Sequence, residues 1–314
     1  MSGENHTMGN LISLLGFEMF RDYRILFFLL SCFLYCLIIT INIIVSALIY
    51  SCPNLHHPMF FFLGHLSFCD ITLTTVIVPL MLPGILRGIV KISFAACITQ
   101  LQIYGTVLSS ECLLLVVMSF DRYLAICHPL RYTSIMNKHF CLQLVTLCWT
   151  LSFTVMFSFV ILLKRFEFCG TAIDHFICDY LPVLKLSCTD ISSVKFKQLF
   201  ISSAIVMFTS ISLVVTYSYI LKAILKITSI SGRKKAFSTC SSHMAVVGTF
   251  LGSLYGIYII PHSENTLNAN KVFSLLYTFG TPLFNPLIYC VKNIEIRGAL
   301  KKCLWQRKTK KSVI

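Results

Sequence analysis

Long apolar windows alternate with short polar segments along this chain. Stretches with few or no ionisable side chains run over residues 25–51, 59–86, 92–120, 140–163, 198–221, 236–260 and 272–291. Each reaches the ~20 residues that a helix needs to cross a hydrocarbon core. The ~10-residue alternation of polar and apolar positions that marks a membrane barrel does not occur. The pattern predicts an all-α membrane protein, a seven-transmembrane helical bundle. After the last window Ile296, Ala299, Leu300, Cys303 and Leu304 recur at i, i+3, i+4 spacing, which predicts a short amphipathic C-terminal helix lying on the bilayer. No segment between the windows is long enough to fold alone. Residues 1–314 therefore read as one domain, with a polar leader over 1–24, the bundle over 25–291 and a tail over 292–314.

Composition sharpens this reading. Only 12% of the 314 residues are charged and 56% are hydrophobic, whereas soluble domains carry roughly a quarter charged residues. The net charge of +14 is unevenly spread. With the N-terminus outside, the basic runs GRKK (232–235) and KKCLWQRKTKK (301–311) fall on the inner side, as the positive-inside rule requires. There they meet anionic membrane lipids, and no nucleic-acid partner is needed to explain them. Asn5-His6-Thr7 is a glycosylation sequon with Asn5 as acceptor, in agreement with an extracellular start. Cys303 stands where palmitoylation would add a second anchor.

Most of the 15 cysteines fall in the windows or at the inner face, where they read as small buried hydrophobes. Cys97, Cys169, Cys178 and Cys188 instead fall where an oxidising exterior reaches them. Four cysteines allow three pairings, and spacing does not choose among them. His175 and Cys178 also have the spacing of a copper or zinc pair, open to a metal only if Cys178 is a free thiol.

Polar groups inside apolar windows carry the chemistry. Asp121 and Arg122 directly follow CLLLVVMSF, and the acid can hold the guanidinium in a local ion pair at a helix end. The alternative is a snorkelling Arg that only fixes helix depth. Asp70 and Glu111 lie well inside their windows, where an isolated anion is prohibitively costly. They demand a cation, a shared proton or polar partners; the plainer reading keeps one acid protonated, as an interhelical hydrogen bond. In the last window Asn285-Pro286-Leu287-Ile288-Tyr289, with Pro282 just before, predicts a hinge. Pro286 removes a backbone hydrogen bond, and Asn285 is expected to supply replacement contacts. Gly248, Gly252 and Gly256 at four-residue spacing predict one smooth face for packing within the bundle or for dimerisation. The acids are single and dispersed, with no phosphate loop or zinc helix motif, so no enzyme is expected. A transporter with Asp70 and Glu111 along an ion path is the rival class, but the internal repeat common in transporters is missing.

Several segments together resemble a known family. MSFDRYLAICHPLRY (118–132), LHHPMFFFLGHLSFCD (55–70), HFICDYLPVLKLSCTD (175–190), KAFSTCSSHMAVV (235–247) and PLFNPLIYCVKN (282–293) are similar, in the same order, to vertebrate odorant receptors of class II type, rhodopsin-like G-protein-coupled receptors. The resemblance spans essentially the whole chain. It implies that Cys97 pairs with Cys178 and Cys169 with Cys188. It implies that Arg122, once freed, lines the crevice that receives a G protein's C-terminal helix, with Asp121, Tyr123, Tyr217, His243, Asn285, Pro286 and Tyr289 also serving coupling. Asp70 and Glu111, with Asn42 and Asn285 as polar partners, resemble a site that could bind a sodium ion; no other cofactor is expected.

Helical spacing puts Tyr104, Gly105, Leu108 and Cys112 on one face with Ser109 alongside, and the resemblance turns that face to the ligand cavity. Across from it the family places Ser202, Ser203 and Val206 on helix five, Leu251, Tyr255 and Tyr258 on helix six, and Leu275 and Thr278 on helix seven. Stripes of this kind are also what an ordinary core looks like. Helix three has no acid in its outer half to pair an amine, and the last window has no Lys for a retinal Schiff base. The implied function is a multi-pass plasma-membrane receptor, N-terminus extracellular and C-terminus cytoplasmic, that binds small, mostly apolar volatile ligands and activates a stimulatory G protein to raise cyclic AMP. A non-olfactory receptor for a lipid or small metabolite is the alternative. Ser119, Phe120, Ile41 and Leu251 depart from the family's usual Ala, Tyr, Gly and Tyr.

Overall fold

The structure is a computed structural model that describes residues 11–16, 18–259, 267–292 and 295–300. Asn5 and Cys303 lie outside these residues, as do the side chains of Tyr258 and Tyr289. Helix α1 runs over Arg24–Ser51, α2 over Pro58–Arg87, α3 over Phe94–Cys127, the short α4 over Pro129–Ile135 and α5 over Lys138–Leu163. Then follow the short α6 (Tyr180–Leu184), α7 (Ser192–Leu225), α8 (Ile230–Ile259), α9 (Leu267–Leu275) and α10 (Thr281–Lys292), with a π-helical turn, Leu276–Gly280, joining the last two. Helices α1, α2, α3, α5 and α7 are each long and apolar enough to cross a bilayer. Helix α8 and the α9–α10 rod complete the seven-helix bundle, and residues 295–300 are helical as well.

Local chemistry sets the helix ends. Pro58 and Pro129 open their helices, where the missing N–H costs nothing. Ser93 Oγ accepts the Ala96 N–H at 3.1 Å, and Asn137 Oδ1 accepts that of Phe140 at 2.9 Å, satisfying donors that a helix start leaves over. Gly88 closes α2 at φ 81°, a conformation open to glycine at little cost. Helices α3 and α7 overrun their apolar windows because their charged ends lie where headgroups and water can solvate them.

Helix α3 packs on α2, α5 and α7 and stands at the centre of the bundle. One core fills the bundle, from Ile38 and Leu66 to Phe250 and Tyr277. Leu29, Phe33, Phe68, Leu147 and Phe208 are exposed on its outside, an apolar belt suited to hydrocarbon rather than water. The glycines of α8 do not form the predicted common face. A Cβ on Gly256 would run into the Phe273 ring, whereas Gly248 and Gly252 face outward with nothing within 4 Å. A four-residue step advances about 40° round a helix, so a stripe of three drifts off one neighbour.

A second core caps one end. Ile12, Cys97, Leu101, Phe159, Cys178 and Leu184 belong to it. Above it a small sheet, order β2-β1-β3, joins β1 (Leu11–Leu14) to β2 (Val90–Ser93) and β3 (Ala172–Ile173). Strand β1 is antiparallel to β2, with Leu11 opposite Ser93, and parallel to β3, with Ser13 opposite Ala172. The leader thus stitches two loops together, and Ile12 is its fully buried side chain.

Candidate functional site

Three connected regions hold the polar groups. In the middle of the bundle, Asp70 on α2 accepts the Asn285 Nδ2–H groups at 3.1 and 3.3 Å, and Glu111 Oε2 on α3 accepts the Tyr277 hydroxyl at 2.8 Å. Both acids are fully buried. Tyr277 reaches Glu111 from the π-helical turn, whose extra residue re-aims the side chains of the seventh span. Glu111 Oε1, Ser110 Oγ and Asn285 Oδ1 are buried without a hydrogen-bond partner among the described residues.

The proline hinge is built differently from the sequence expectation. Pro286 has no N–H to give the carbonyl four residues back, at Pro282. That carbonyl accepts the Asn42 side-chain amide of α1 at 3.0 Å, and the same nitrogen donates to Ile38 O at 3.1 Å. Asn42 repairs the hinge; Asn285 is committed to Asp70.

At the end of the bundle away from the sheet, Asp121 is fully buried and Arg122 folds back on it, Nε to Oδ2 2.9 Å. The second carboxylate oxygen accepts the Tyr132 hydroxyl at 2.8 Å. Tyr132 sits on α4, a helix opened by Pro129, so the acid is held by a guanidinium on one side and a phenol on the other. Burial, and next the charge of Asp121, push the Tyr132 hydroxyl above its ordinary pKa. Tyr123 meets His128 Nε2 at 3.0 Å, and Tyr217 on α7 makes a short contact to His243 Nδ1 on α8, tying two helices together.

At the capped end, Cys97 bonds Cys178, Cα atoms 5.4 Å apart, and Cys169 bonds Cys188, Cα atoms 5.5 Å apart. The thiol that a His175–Cys178 metal pair needs is therefore absent. Gln100 adds to the tether: its Oε1 accepts the Cys178 N–H and its Nε2 donates to Val76 O, both at 2.9 Å.

Beneath the loop lies a cavity of about 50 Å³. Of the predicted ligand residues, Tyr104, Gly105, Leu108, Ser109 and Ser202 line it. Ser203 is exposed on the outside of α7, since one residue along a helix is 100° round it. Cys112, Val206, Leu251, Tyr255, Leu275 and Thr278 do not line it either. The Tyr255 hydroxyl pairs with Ser210 Oγ at 2.8 Å, and Thr278 donates to Ser274 O at 2.7 Å. Val155, Met156 and Phe159 of α5, with Asp179 and Tyr180 of the loop, take their places. The apolar pattern of α5 carries no polar landmark that would mark this wall in the sequence. Met156 fills the notch left by Gly105, where a Cβ would overlap its thioether.

A seven-helix bundle with a small loop-roofed cavity at one end, a buried polar axis and a tethered Arg at the other has the parts of a signalling receptor. A family profile described as olfactory receptor matches residues 31–307. Olfactory receptor 6B2 of Homo sapiens is 39% identical over 305 residues, covering 97% of this chain and 98% of that protein. Olfactory receptor 2A12 of Homo sapiens is 43% identical over 309 residues, 97% and 99% of the two chains. Olfactory receptor 2A1/2A42 of Homo sapiens is 45% identical over 306 residues, 96% and 98%. The chain belongs to the olfactory receptor family. It is a multi-pass plasma-membrane receptor for small odorant molecules that works through a G protein and is not an enzyme.

Proposed function

We propose that the receptor takes small, largely apolar volatile molecules into the cavity beneath the disulfide-held loop and activates a stimulatory G protein, raising cyclic AMP. In this reading the capped end and N-terminus face outward, and the Asp121 end faces the cytoplasm, where the basic segments meet anionic lipids. One observation carries it. Tyr104 lines the cavity, and its ring meets that of Tyr277 edge-on at 6.3 Å; Tyr277 in turn donates to Glu111. A ligand that displaces Tyr104 therefore acts directly on the polar axis that joins α3 to the hinged seventh span.

The cavity in this conformation is far below the ~300 Å³ at which ligand pockets commonly begin. Ligand entry must move side chains, and Met156, unbranched and flexible, is the one placed to yield. Apolar walls with the Ser109 and Ser202 hydroxyls suit a hydrocarbon body fixed by one or two hydrogen bonds. Expressed with trafficking helpers, a stimulatory G protein and a broad panel of small volatile compounds, the receptor is expected to raise cyclic AMP for a subset of the panel. A surface-positive receptor that stays silent throughout would sink the proposal.

The acids of the axis fit a cation. Two carboxylates are buried in this axis, and Glu111 Oε1 and Asn285 Oδ1 have no hydrogen-bond partner among the described residues, oxygens of the kind that alkali cations accept. Asp70 and Glu111 would hold sodium, which supplies the positive charge the bundle interior lacks there. If the two acids share one cation or one proton, they act as a unit. Asp70→Asn and Glu111→Gln are each expected to change basal cyclic AMP and its sodium sensitivity. The double variant should change them by less than the sum. Strictly additive effects would identify two independent structural groups.

A further inference from the structure

We infer that the ligand site opens sideways to the bilayer, through a seam between α5 and α7, and takes a long-chain alcohol: the hydroxyl lodges in the cavity and the hydrocarbon tail runs out through the seam into the lipid. The inference rests on the reading of the loop-roofed cavity as the ligand site, and it deepens that reading by naming a ligand class and a side of entry.

The seam follows from how the helices pack. Helices α5 and α7 each pack on α3 rather than on each other. Ser109 lines the cavity and is half-buried although α3 is the central helix; Leu113, one turn on, and Gln102, two turns back, are half-buried on the same face. The α7 wall of the cavity is Gln198, Ile201, Ser202 and Ile205, a helical face with no buried side chain, and Ile201 is 37% exposed. The α5 wall includes Val155 and Met156, both half-buried. Phe153, Phe157 and Ile161 of α5 and Phe200 of α7 are exposed alongside, so hydrocarbon rather than water meets the seam from outside.

The roof is the harder way in. Phe176, Ile177, Cys178 and Tyr180 are buried, and Cys178 is bonded to Cys97 and held by Gln100. Lifting the roof would carry Phe159 and Tyr180, whose rings meet at 5.1 Å, toward water. A second cavity of about 250 Å³, on the outer side, shares only Asp179 with the first, and the residues on either side of Asp179 are both buried. Moving Ile201 and Met156 aside merely exchanges protein contacts for lipid ones, since lipid tails are as apolar as those side chains.

Size and polarity point the same way. About 50 Å³ holds a head group but not a whole ligand, and a tail lying in the seam needs no larger chamber. The helices supply no charge to the lining; Ser109, Gln198 and Ser202 are its polar members there, suited to a hydroxyl that both donates and accepts. Asp179 comes from the loop and accepts the Tyr180 N–H at 2.7 Å.

Full-length receptor in lipid nanodiscs would be unfolded thermally with 1-hexanol or 1-decanol, for wild type, Ile201→Trp and Phe33→Trp. The same alcohols would be scored for cyclic AMP in cells. With doses counted per bilayer lipid, a tail that leaves through the seam exchanges lipid for lipid, so the two alcohols are expected to half-saturate wild type within about threefold of each other. Counted in water, decanol should gain about fourfold for each added CH₂. An enclosed cavity would instead reject the longer chain. Ile201→Trp, which fills the seam, should weaken both alcohols at least about tenfold, while Phe33→Trp, in the apolar belt on α1, should change neither. On photolysis, decanol carrying a mid-chain diazirine should label α5 and α7 beside the seam, and excess 1-decanol should compete. Stabilisation by both alcohols without cyclic AMP would remove the signalling proposal and leave the seam site standing. Stabilisation by hexanol alone or by neither alcohol, full stabilisation of Ile201→Trp, or label confined to the loop around the outer cavity would overturn the inference. Cyclic AMP raised by hexanol or by other volatile compounds would then keep the signalling proposal intact. Labelling of wild type decides even if neither variant folds.

Discussion

Cys178→Ser is expected to abolish display of the receptor at the cell surface, and Cys97→Ser to do the same. The bond closes 81 residues of chain, and a loop of that length is worth about 4.5 kcal/mol of unfolded-state entropy on the chain-entropy account. That is a large share of the 5–15 kcal/mol by which folded domains are typically stable. The consequences are also local. Cys97 and Cys178 are fully buried in the core of the capped end, together with Ile12, Leu101 and Leu184. Without the bond, the Gln100 contact to the Cys178 N–H becomes the loop's main tether to α3, and the roof of the cavity opens. The Cys169–Cys188 bond spans only 19 residues within the loop itself, so Cys169→Ser should cost less. Surface staining, normalised to total receptor, gives the measurement, with Cys32→Ser and Cys36→Ser as controls because both thiols are free. Comparable staining for all of these variants would show that the disulfide is dispensable.

The sequence was most informative where physics leaves few choices. Helices in lipid must satisfy their own backbone, so apolar windows located the spans with little error. Asp70, Glu111 and Asp121 drew attention because each is costly where it lies, and in the structure each has found polar partners. What stayed hidden were those partners. Tyr277 and Tyr132 look like ordinary aromatic residues until a π-turn and a short helix aim their hydroxyls at acids 166 and 11 residues away. Asn42 was legible as polar within a span, but its task depends on a carbonyl freed by Pro286, 240 residues on at Pro282. The small sheet was missed because four residues of LISL are too few for alternation to register, and its partners lie in two separate loops. The cavity was only half legible. Of the α3 face that helical periodicity picked out, Tyr104, Gly105, Leu108 and Ser109 line the cavity and Cys112 does not, and periodicity could not say which turn of α7 faces inward or that α5 contributes a wall.

Arg122→Ala is expected to remove ligand-driven cyclic AMP while the receptor still reaches the surface. In the structure Arg122 is held back: its guanidinium lies on Asp121, and Tyr132 secures the other carboxylate oxygen. The pair sits at the end of α3, one turn from Ser119, which meets Thr216 of α7 at 3.3 Å. Tyr217 and His243 hold α7 to α8 at the same level. Separation of these helices would free the guanidinium to enter a crevice suited to a helix C-terminus, whose unpaired carbonyls and negative dipole end attract a cation. Losing one such desolvated charge contact costs about 2 to 5 kcal/mol, well over tenfold in coupling. The variant leaves Asp121 buried beside Tyr132 alone, an uncompensated charge that could lower expression. Asp121→Asn combined with Arg122→Ala removes that burden and should restore surface level without restoring signal. Asp121→Asn alone, by loosening the tether, should raise basal cyclic AMP. A full response from a well-displayed Arg122→Ala receptor would place G-protein recognition elsewhere and reduce Arg122 to an anchor that sets the depth of α3 in the membrane.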